Sequence, residues 1–299
     1  MLEKHVWTKK ERKNVAVGRC LVGSKWVFKK KKSGLFCACL VALGYNQIPG
    51  VDYSDNYAPV INDVSLRLVI LLWLQNDWHA EIVDIETAFL YGDLDEEVYM
   101  KIPSGYQDVV ESIDEKHWCL ELQKSIYGLV QAARQWWKRL VEALKQLGFL
   151  RSAVDACLLY KNNKDGIVIF CIYVDDILCV GSKVGIEEAI KMLATMFQVK
   201  RVGELHDYVG CTVLRTGREK KVLFYQGDLI DRLEKDFSYE LENVKKKSTP
   251  AVPREIIMRP QEGDMKLSEN EQGKYCSGVG MLLYLVKFSQ PDIANSVQE

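Results

Sequence analysis

The chain has 299 residues, 48% of them hydrophobic, which suffices for one large domain or two modest ones around a sizeable core. Its formal net charge of −1 excludes a protein that grips a polyanion through a global field, so nucleic-acid contact must rest on local basic patches. Nine scattered cysteines without a Cys-x-x-Cys exclude a zinc site of ordinary spacing, an odd thiol count without a signal peptide fits a reducing intracellular setting, and no apolar run is long enough to span a membrane.

In chain order, residues 20–60 read as short strands and turns, with Ser33-Gly34 and Pro49-Gly50 as turn signals. The run from Lys29 to Lys32 is one basic patch, and Lys245 to Lys247 is another. Asn62 or Asp63 can cap a helix reaching about Gln75, with Val64, Leu68, Leu71 and Gln75 at helical spacing. Residues 80–85 form a short strand. Ile82, Asp84 and Glu86 share one face, and Glu81, Val83 and Ile85 the other. A helix over about 129–147 carries Leu129, Ala133, Trp136, Leu140, Leu144 and Leu147 on one stripe and ends at Gly148, with its Trp pair in the core.

The runs Ile167–Val174 and Ile177–Val180 then read as a buried hairpin with Asp175 and Asp176 at its tip. Ile186, Ile190, Leu193 and Phe197 mark another helix, and residues 199–225 are strands around Gly203, Gly210 and Gly217. Leu229, Ile230, Leu233 and Phe237 give one more helix. Residues 245–271, with Pro250, Pro253 and Pro260, read as a linker, and Gly278–Phe288 as a short apolar element docking back. The element order predicts an α+β fold, an antiparallel sheet backed by helices.

Adjacent carboxylates beside so much apolar surface repel each other and resist desolvation. A raised pKa or a bound cation relieves both. Hard oxygen donors suit magnesium, which takes one or two carboxylates and keeps sites for phosphate oxygens. Asp84 is the further carboxylate of a two-metal site if its strand lies beside the hairpin. The bland alternatives are a solvated Asp-Asp turn and a strand-end Asp84 satisfied by backbone amides.

Ordered segments along nearly the whole chain narrow these options. They are 23–29 (Gly-Ser-Lys-Trp-Val-Phe-Lys), 44–53 (Gly-Tyr-Asn-Gln-Ile-Pro-Gly-Val-Asp-Tyr), 57–60 (Tyr-Ala-Pro-Val) and 84–90 (Asp-Ile-Glu-Thr-Ala-Phe-Leu). There follow 92–100 (Gly-Asp-Leu-Asp-Glu-Glu-Val-Tyr-Met), 125–129 (Ser-Ile-Tyr-Gly-Leu), 134–136 (Arg-Gln-Trp), 173–176 (Tyr-Val-Asp-Asp), 248–250 (Ser-Thr-Pro) and 291–294 (Pro-Asp-Ile-Ala). In this order the chain resembles the reverse transcriptase domain of copia-type long-terminal-repeat retrotransposons.

The resemblance implies a right-hand polymerase architecture. Residues 1–198 would form fingers and palm, 199–244 a thumb-like region, and 245–299 a linker and the start of a connection to a ribonuclease H domain. It implies that Asp84, Asp175 and Asp176 are catalytic carboxylates holding two magnesium ions, with manganese as an alternative, and that the Ile85 carbonyl completes the coordination. Phe89 would stack under the incoming sugar and exclude a 2′-hydroxyl. Tyr127, Gly128 and Gln131 would line the nucleotide site, and Lys29, Lys30 and Arg134 would hold nucleic acid. The implied partners are a primed RNA or DNA template, deoxynucleoside triphosphates and a downstream ribonuclease H domain, in a cytoplasmic virus-like particle.

The family's usual run at 36–44 is Tyr-Lys-Ala-Arg-Leu-Val-Ala-Lys-Gly, whereas this chain reads Phe-Cys-Ala-Cys-Leu-Val-Ala-Leu-Gly. The Lys and Arg expected to clamp the triphosphate are thus Cys37 and Cys39. A basic residue is also missing at Val130, a proline at Ala133 and an arginine at Cys276. Two expectations follow: a working polymerase, or a decayed relic that at most binds nucleic acid. A nucleotide cyclase with a similar hairpin is a third, but it leaves Trp26 and Tyr127-Gly128 unexplained.

Overall fold

The chain is described from a computed structural model covering residues 1, 4–30, 34–106, 114–164, 166–216, 220–242, 244–245, 249 and 266–298. It divides into two compact units, Met1–Glu204 and Leu205–Glu299. None of the described helices is long and apolar enough to cross a membrane.

The first unit opens with β1 (Trp7–Glu11), β2 (Leu21–Val22), β3 (Ser24–Lys30), β4 (Phe36–Ala42), α1 (Asp63–Asn76) and β5 (His79–Ile85). It continues through β6 (Asp93–Met100), β7 (Trp118–Lys124), α2 (Ala132–Gln146), β8 (Leu150–Arg151), β9 (Leu158–Asn163), β10 (Gly166–Tyr173), β11 (Asp176–Gly181), α3 (Lys183–Ala194) and β12 (Val199–Glu204). Its main sheet has the order β12-β5-β11-β10-β9-β8, every pair antiparallel. Residues 168–172 of β10 and 177–181 of β11 are all buried, so both faces of the hairpin are covered. That is why its strands are continuous apolar runs rather than alternating ones. Phe149 stacks on Phe170 with ring centroids 4.6 Å apart, and α3 packs across β10, β11 and β12.

A second sheet, β1-β7-β6-β2, encloses a core of Val6, Val22, Val98, Met100, Leu120 and Leu122. The ribbon β3–β4 roots in that core through Leu40 and Ala42.

Helix α1 begins where expected, with the Asn62 side chain accepting from the Val64 N–H. Its phase differs from the expected one. Leu66, Val69, Ile70, Trp73 and Leu74 are buried, while Val64, Leu68 and Leu71 are exposed. The segment is apolar nearly all round, so two stripes satisfy the helical period and no polar face selects between them. Helix α2 starts at Ala132 rather than near Leu129, because Gly128 (φ 90°) turns the chain just before it, and Gly148 (φ 86°) follows its C-terminus.

The second unit comprises β13 (Asp207–Tyr208), β14 (Cys211–Thr216), β15 (Lys221–Tyr225), α4 (Gly227–Asp236), α5 (Ser238–Glu242), α6 (Glu269–Phe288) and α7 (Ala294–Gln298). The expected linker over 245–271 overlaps α6. Ser268 caps the Glu271 N–H while the Glu271 carboxylate accepts from the Ser268 N–H, a capping box legible as Ser-x-x-Glu. Pro250, Pro253, Pro260 and Gly217 lie outside the described residues. The apolar element at 278–288 is the second half of α6, where Gly278, Met281, Leu285 and Phe288 are buried at helical spacing. Tyr284 donates from its hydroxyl to the Val209 carbonyl at 2.8 Å, bracing the β13–β14 turn, where Val209 and Gly210 both have positive φ.

Candidate active site

Strand β5 lies antiparallel beside β11, and the register sets Asp84 directly opposite Asp176. Directly opposed residues share a face of the sheet. In the β10–β11 hairpin, Tyr173 pairs with Asp176, so the turn consists of Val174 and Asp175. Both aspartates were expected at the tip. Asp175 is there, and Asp176 is instead the first residue of β11. The Asp175 carbonyl accepts the Ile85 N–H at 3.2 Å, tying the turn to the end of β5. One hydrogen-bond network therefore gathers Asp84, Ile85, Asp175 and Asp176.

The turn is held under strain. Val174 has φ 54°, a left-handed conformation that costs a β-branched residue on the order of 1–3 kcal/mol. Buried Trp136 donates its indole N–H to the Val174 carbonyl at 2.9 Å and holds that conformation. Thr87 has φ 58° just after β5, where the chain turns into a short 3-10 segment, Ala88–Tyr91, that carries Phe89.

The carboxylates are electrostatically coupled. Burial, then the charges of Asp84 and Asp176, push the Asp175 pKa up to about 6. Burial and Asp84 raise Asp176 as well. Oδ2 of Asp175 accepts a long hydrogen bond from the Tyr127 hydroxyl at 3.4 Å, while its Oδ1 is buried with no hydrogen-bond partner. An orphaned hard oxygen among like charges fits a divalent cation. Among the described residues no group of three acidic, Cys or His side chains is close enough together to hold an ion.

Tyr127 also packs on Phe89 with ring centroids 4.5 Å apart. Its phenol pKa is raised, chiefly by burial and then by Asp175. Two backbone contacts seat it: Ala42 N–H to the Tyr127 carbonyl at 2.7 Å and Gly44 N–H to the Gly128 carbonyl at 3.1 Å. The chains approach so closely that a Cβ at Gly44 would lie 2.1 Å from the Gly128 oxygen, and one at Gly128 would lie 2.1 Å from the Ala42 oxygen. Both positions require glycine, which explains these residues in the ordered segments.

The other expected ligands are engaged within the protein. Gln131 is fully buried; its amide donates to the Asp52 carbonyl at 3.1 Å and accepts from Gln47 at 3.0 Å. It offers the nucleotide no exposed donor and instead fixes the loop before α2. Arg134 donates to the Tyr57 carbonyl at 2.9 Å and pairs with Asp55 at 2.8 Å, so its fork clamps the 55–57 loop rather than standing open to a phosphate. Lys29 and Lys30 are exposed on β3.

Sequence reasoning missed Glu81. It is buried on β5, pairs with Arg201 through both carboxylate oxygens, and Arg201 reaches on to Glu187 at 2.7 Å. Arg201 holds the Glu81 carboxyl below the usual range. A glutamate amid Ile and Val in a strand was the available signal, but its partner is visible only once β12 is known to pair with β5.

A cavity of about 80 Å³ adjoins the strained turn, lined by Pro59, Val60, Ala133, Trp136, Ile172 and Val174 among others. Ala133 is the second residue of α2, where a backbone N–H has no partner within its helix and proline is tolerated. Ala133→Pro is expected to fill part of the void and raise stability by about 0.5–1 kcal/mol, or about 1–4 °C in Tm. A thermal melt showing no rise or a fall would contradict this account of the cavity.

With this geometry in place, the wider comparisons fix the class. The chain belongs to the reverse transcriptase (RNA-dependent DNA polymerase) family, whose model matches residues 8–253. Within that family it is a copia-type domain. It is 34% identical over 292 residues to the retrovirus-related Pol polyprotein from transposon TNT 1-94 of Nicotiana tabacum, covering 91% of this chain and 21% of that protein. It is 33% identical over 285 residues to the Pol polyprotein from transposon RE1 of Arabidopsis thaliana, covering 93% and 18%. A transposon Ty5-1 protein of Saccharomyces cerevisiae is 28% identical over 216 residues, covering 72% and 67%. The chain thus spans about a fifth of the two plant polyproteins. The family match covers the segments that the cyclase reading left unexplained.

Proposed function

We propose that this chain is the polymerase module of a retrotransposon polyprotein, an RNA-directed DNA polymerase that joins deoxynucleotides to a primer 3′-hydroxyl. The observation that carries the reading is the register seating Asp84 against Asp176, with the buried, unpartnered Oδ1 of Asp175 beside them. Asp84 and Asp175 would hold two magnesium or manganese ions, Asp176 would support the site, and the Ile85 carbonyl would complete the coordination. Bound there, such ions activate the 3′-hydroxyl and neutralise the leaving pyrophosphate. Phe89, backed by Tyr127, presents a wall to the 2′ position of the incoming sugar. Gly128 lets β4 approach that wall, Gln131 and Arg134 position the surrounding loops, and Lys29 and Lys30 contact the template–primer.

In this reading the six-stranded sheet with its helices is the palm, and the β3–β4 ribbon belongs to the fingers. The thumb-like region starts at Leu205, since β12 pairs with β5 in the first unit. A ribonuclease H domain downstream and carriage in an intracellular virus-like particle belong to the same proposal; what supports them is that the plant relatives are transposon Pol polyproteins. The test is extension of a DNA primer on an RNA template with magnesium and deoxynucleotides. Extension by the parent and none by Asp175→Asn is expected. Equal extension by the two would remove the assigned site.

A second reading, a decayed relic, is favoured by one observation. Cys37 and Cys39 occupy the face of the ribbon that turns toward Tyr127, where a basic clamp belongs, and burial raises the Cys39 thiol so that it offers no charge at neutral pH. A working polymerase of this sequence is therefore expected to have a strongly raised nucleotide KM. One charge-assisted contact is worth about 1.5–3 kcal/mol, and two donors sharing one phosphate tail need not add. Cys37→Lys with Cys39→Arg should restore kcat/KM at least about tenfold. An unchanged kcat/KM would show that residues 36–44 do not form the clamp.

A further inference from the structure

We propose that Cys37 and Cys39 form a two-thiolate site for monovalent copper, a soft cation that two sulfurs can satisfy. The register of the β3–β4 ribbon pairs Lys25 with Val41, Val27 with Cys39 and Lys29 with Cys37. Alternation puts these six side chains on one face. That face turns inward. A Cβ at Gly128 would strike Val41 at 2.6 Å, and Cys37 and Cys39 are half-buried. The Ala42 N–H donates to the Tyr127 carbonyl at 2.7 Å, so the thiol face stands beside the Tyr127-Gly128 turn. Of the four cysteines that are not buried (Cys20, Cys37, Cys39 and Cys276), only Cys37 and Cys39 share a strand face.

Spacing and donor type select the occupant. Successive same-face residues of a strand lie roughly 6.6 Å apart at Cα, twice a rise of about 3.3 Å. That is the far end of the range a disulfide spans, and the two Cβ bonds run parallel rather than toward each other. One ion held in line between the sulfurs fills roughly 4.6 Å, twice a metal–thiolate bond of about 2.3 Å. Rotation about each Cα–Cβ bond closes the remainder. Coordination number narrows the choice further. Among the described residues no third acidic, Cys or His side chain is close enough to make a set of three. Structural zinc and iron–sulfur clusters take four protein ligands and are left short. Of the metals that soft thiolates select, monovalent copper remains.

The surroundings suit the charge that binding creates. Both thiol protons pass to solvent, so two neutral thiols and one monovalent cation become a complex with one net negative charge. Lys29 lies directly opposite Cys37 and diagonally from Cys39, and Lys25 lies diagonally from Cys39 on its other side. Two ammonium groups thus flank the sulfurs and offset that charge. An ion here occupies the side of the ribbon where the nucleotide clamp is missing, and it obstructs nucleotide entry. That consequence rests on the polymerase reading; the binding does not.

The test is transfer of monovalent copper from its coloured bicinchoninate complex under ascorbate and nitrogen, read as loss of the visible band. The parent should take up one ion per chain. Cys37→Ser and Cys39→Ser should each weaken uptake at least about a hundredfold, because a second ligand on the same strand acts at high effective concentration. Cys20→Ser with Cys276→Ser should bind as the parent does. X-ray absorption at the copper edge should show two sulfur neighbours. Copper should raise the Tm of the parent and leave that of the Cys37→Ser, Cys39→Ser chain unchanged. A parent that leaves the copper with the chelator, or single variants with parental affinity, would overturn the proposal. So would three or more sulfur neighbours, since other cysteines would then be ligands. Primer extension run in parallel separates the claims. Copper uptake as expected without extension sinks the polymerase reading and leaves the site standing, whereas extension by a chain that takes up no copper sinks the site alone.

Discussion

Asp175→Asn is expected to lower magnesium-dependent primer extension by at least about a thousandfold while raising the Tm of the metal-free protein. The two signs have one cause. Asp175 places an oxygen without a protein partner in a buried site beside two further carboxylates. In the proposed site it would be a ligand in chemistry where metal stabilisation of transition-state charge is worth several kcal/mol, about one decade of rate per 1.36 kcal/mol. Without metal, the same group is a half-desolvated charge among like charges, and a neutral amide of the same shape relieves that repulsion. Thermal melts in chelator, paired with single-turnover extension, check both halves. A variant that loses activity and also melts lower would show that Asp175 supports the fold rather than a metal site.

Arg201→Met is expected to destabilise the first unit by about 1–2 kcal/mol at neutral pH. Breaking a fully buried ion pair costs about 3–5 kcal/mol; here Glu81 is buried but Arg201 is 44% exposed and His79 stays 3.6 Å from Glu81, which puts the cost below that range. The sign with pH follows from the Glu81 carboxyl, whose folded pKa lies below its ordinary 4.5 because of Arg201. Its contribution is present above that ordinary value and lost as pH falls through the lowered folded value. In the variant Glu81 loses the guanidinium and keeps only the His79 ring, 3.6 Å away, so acidification neutralises the weakly partnered charge and the gap between variant and parent narrows. Glu81→Leu with Arg201→Met should recover most of the loss, because an apolar pair of similar volume replaces the ion pair. Urea denaturation at pH 7 and pH 4 measures all three proteins. An equal gap at both pH values would contradict the assignment of the effect to the Glu81 charge.

The carboxylate hairpin was legible because its strands are buried on both faces. Continuous apolar runs interrupted by Val174-Asp175-Asp176 leave few other arrangements. The opposition of Asp84 to Asp176 was not legible from spacing. It depends on β5 pairing with β11, a long-range contact with no local trace, and the family resemblance alone made it an expectation. Gln131 and Arg134 show a different limit. A glutamine or arginine near a site has the same letter whether its donors hold a ligand or, as here, Asp52 and the 55–57 loop. The phase of α1 was lost because leucines surround the helix, and the start of α6 because three prolines upstream outweighed a readable capping box.

The central claim is that Asp84, Asp175 and Asp176 together hold divalent metal for nucleotidyl transfer. Electron paramagnetic resonance of manganese added to the protein with primer–template and a deoxynucleoside triphosphate tests it most directly. Two bound ions per chain are expected for the parent, falling to one or none in Asp84→Asn. Manganese binding that is absent in the parent, or unchanged by that substitution, would contradict the account.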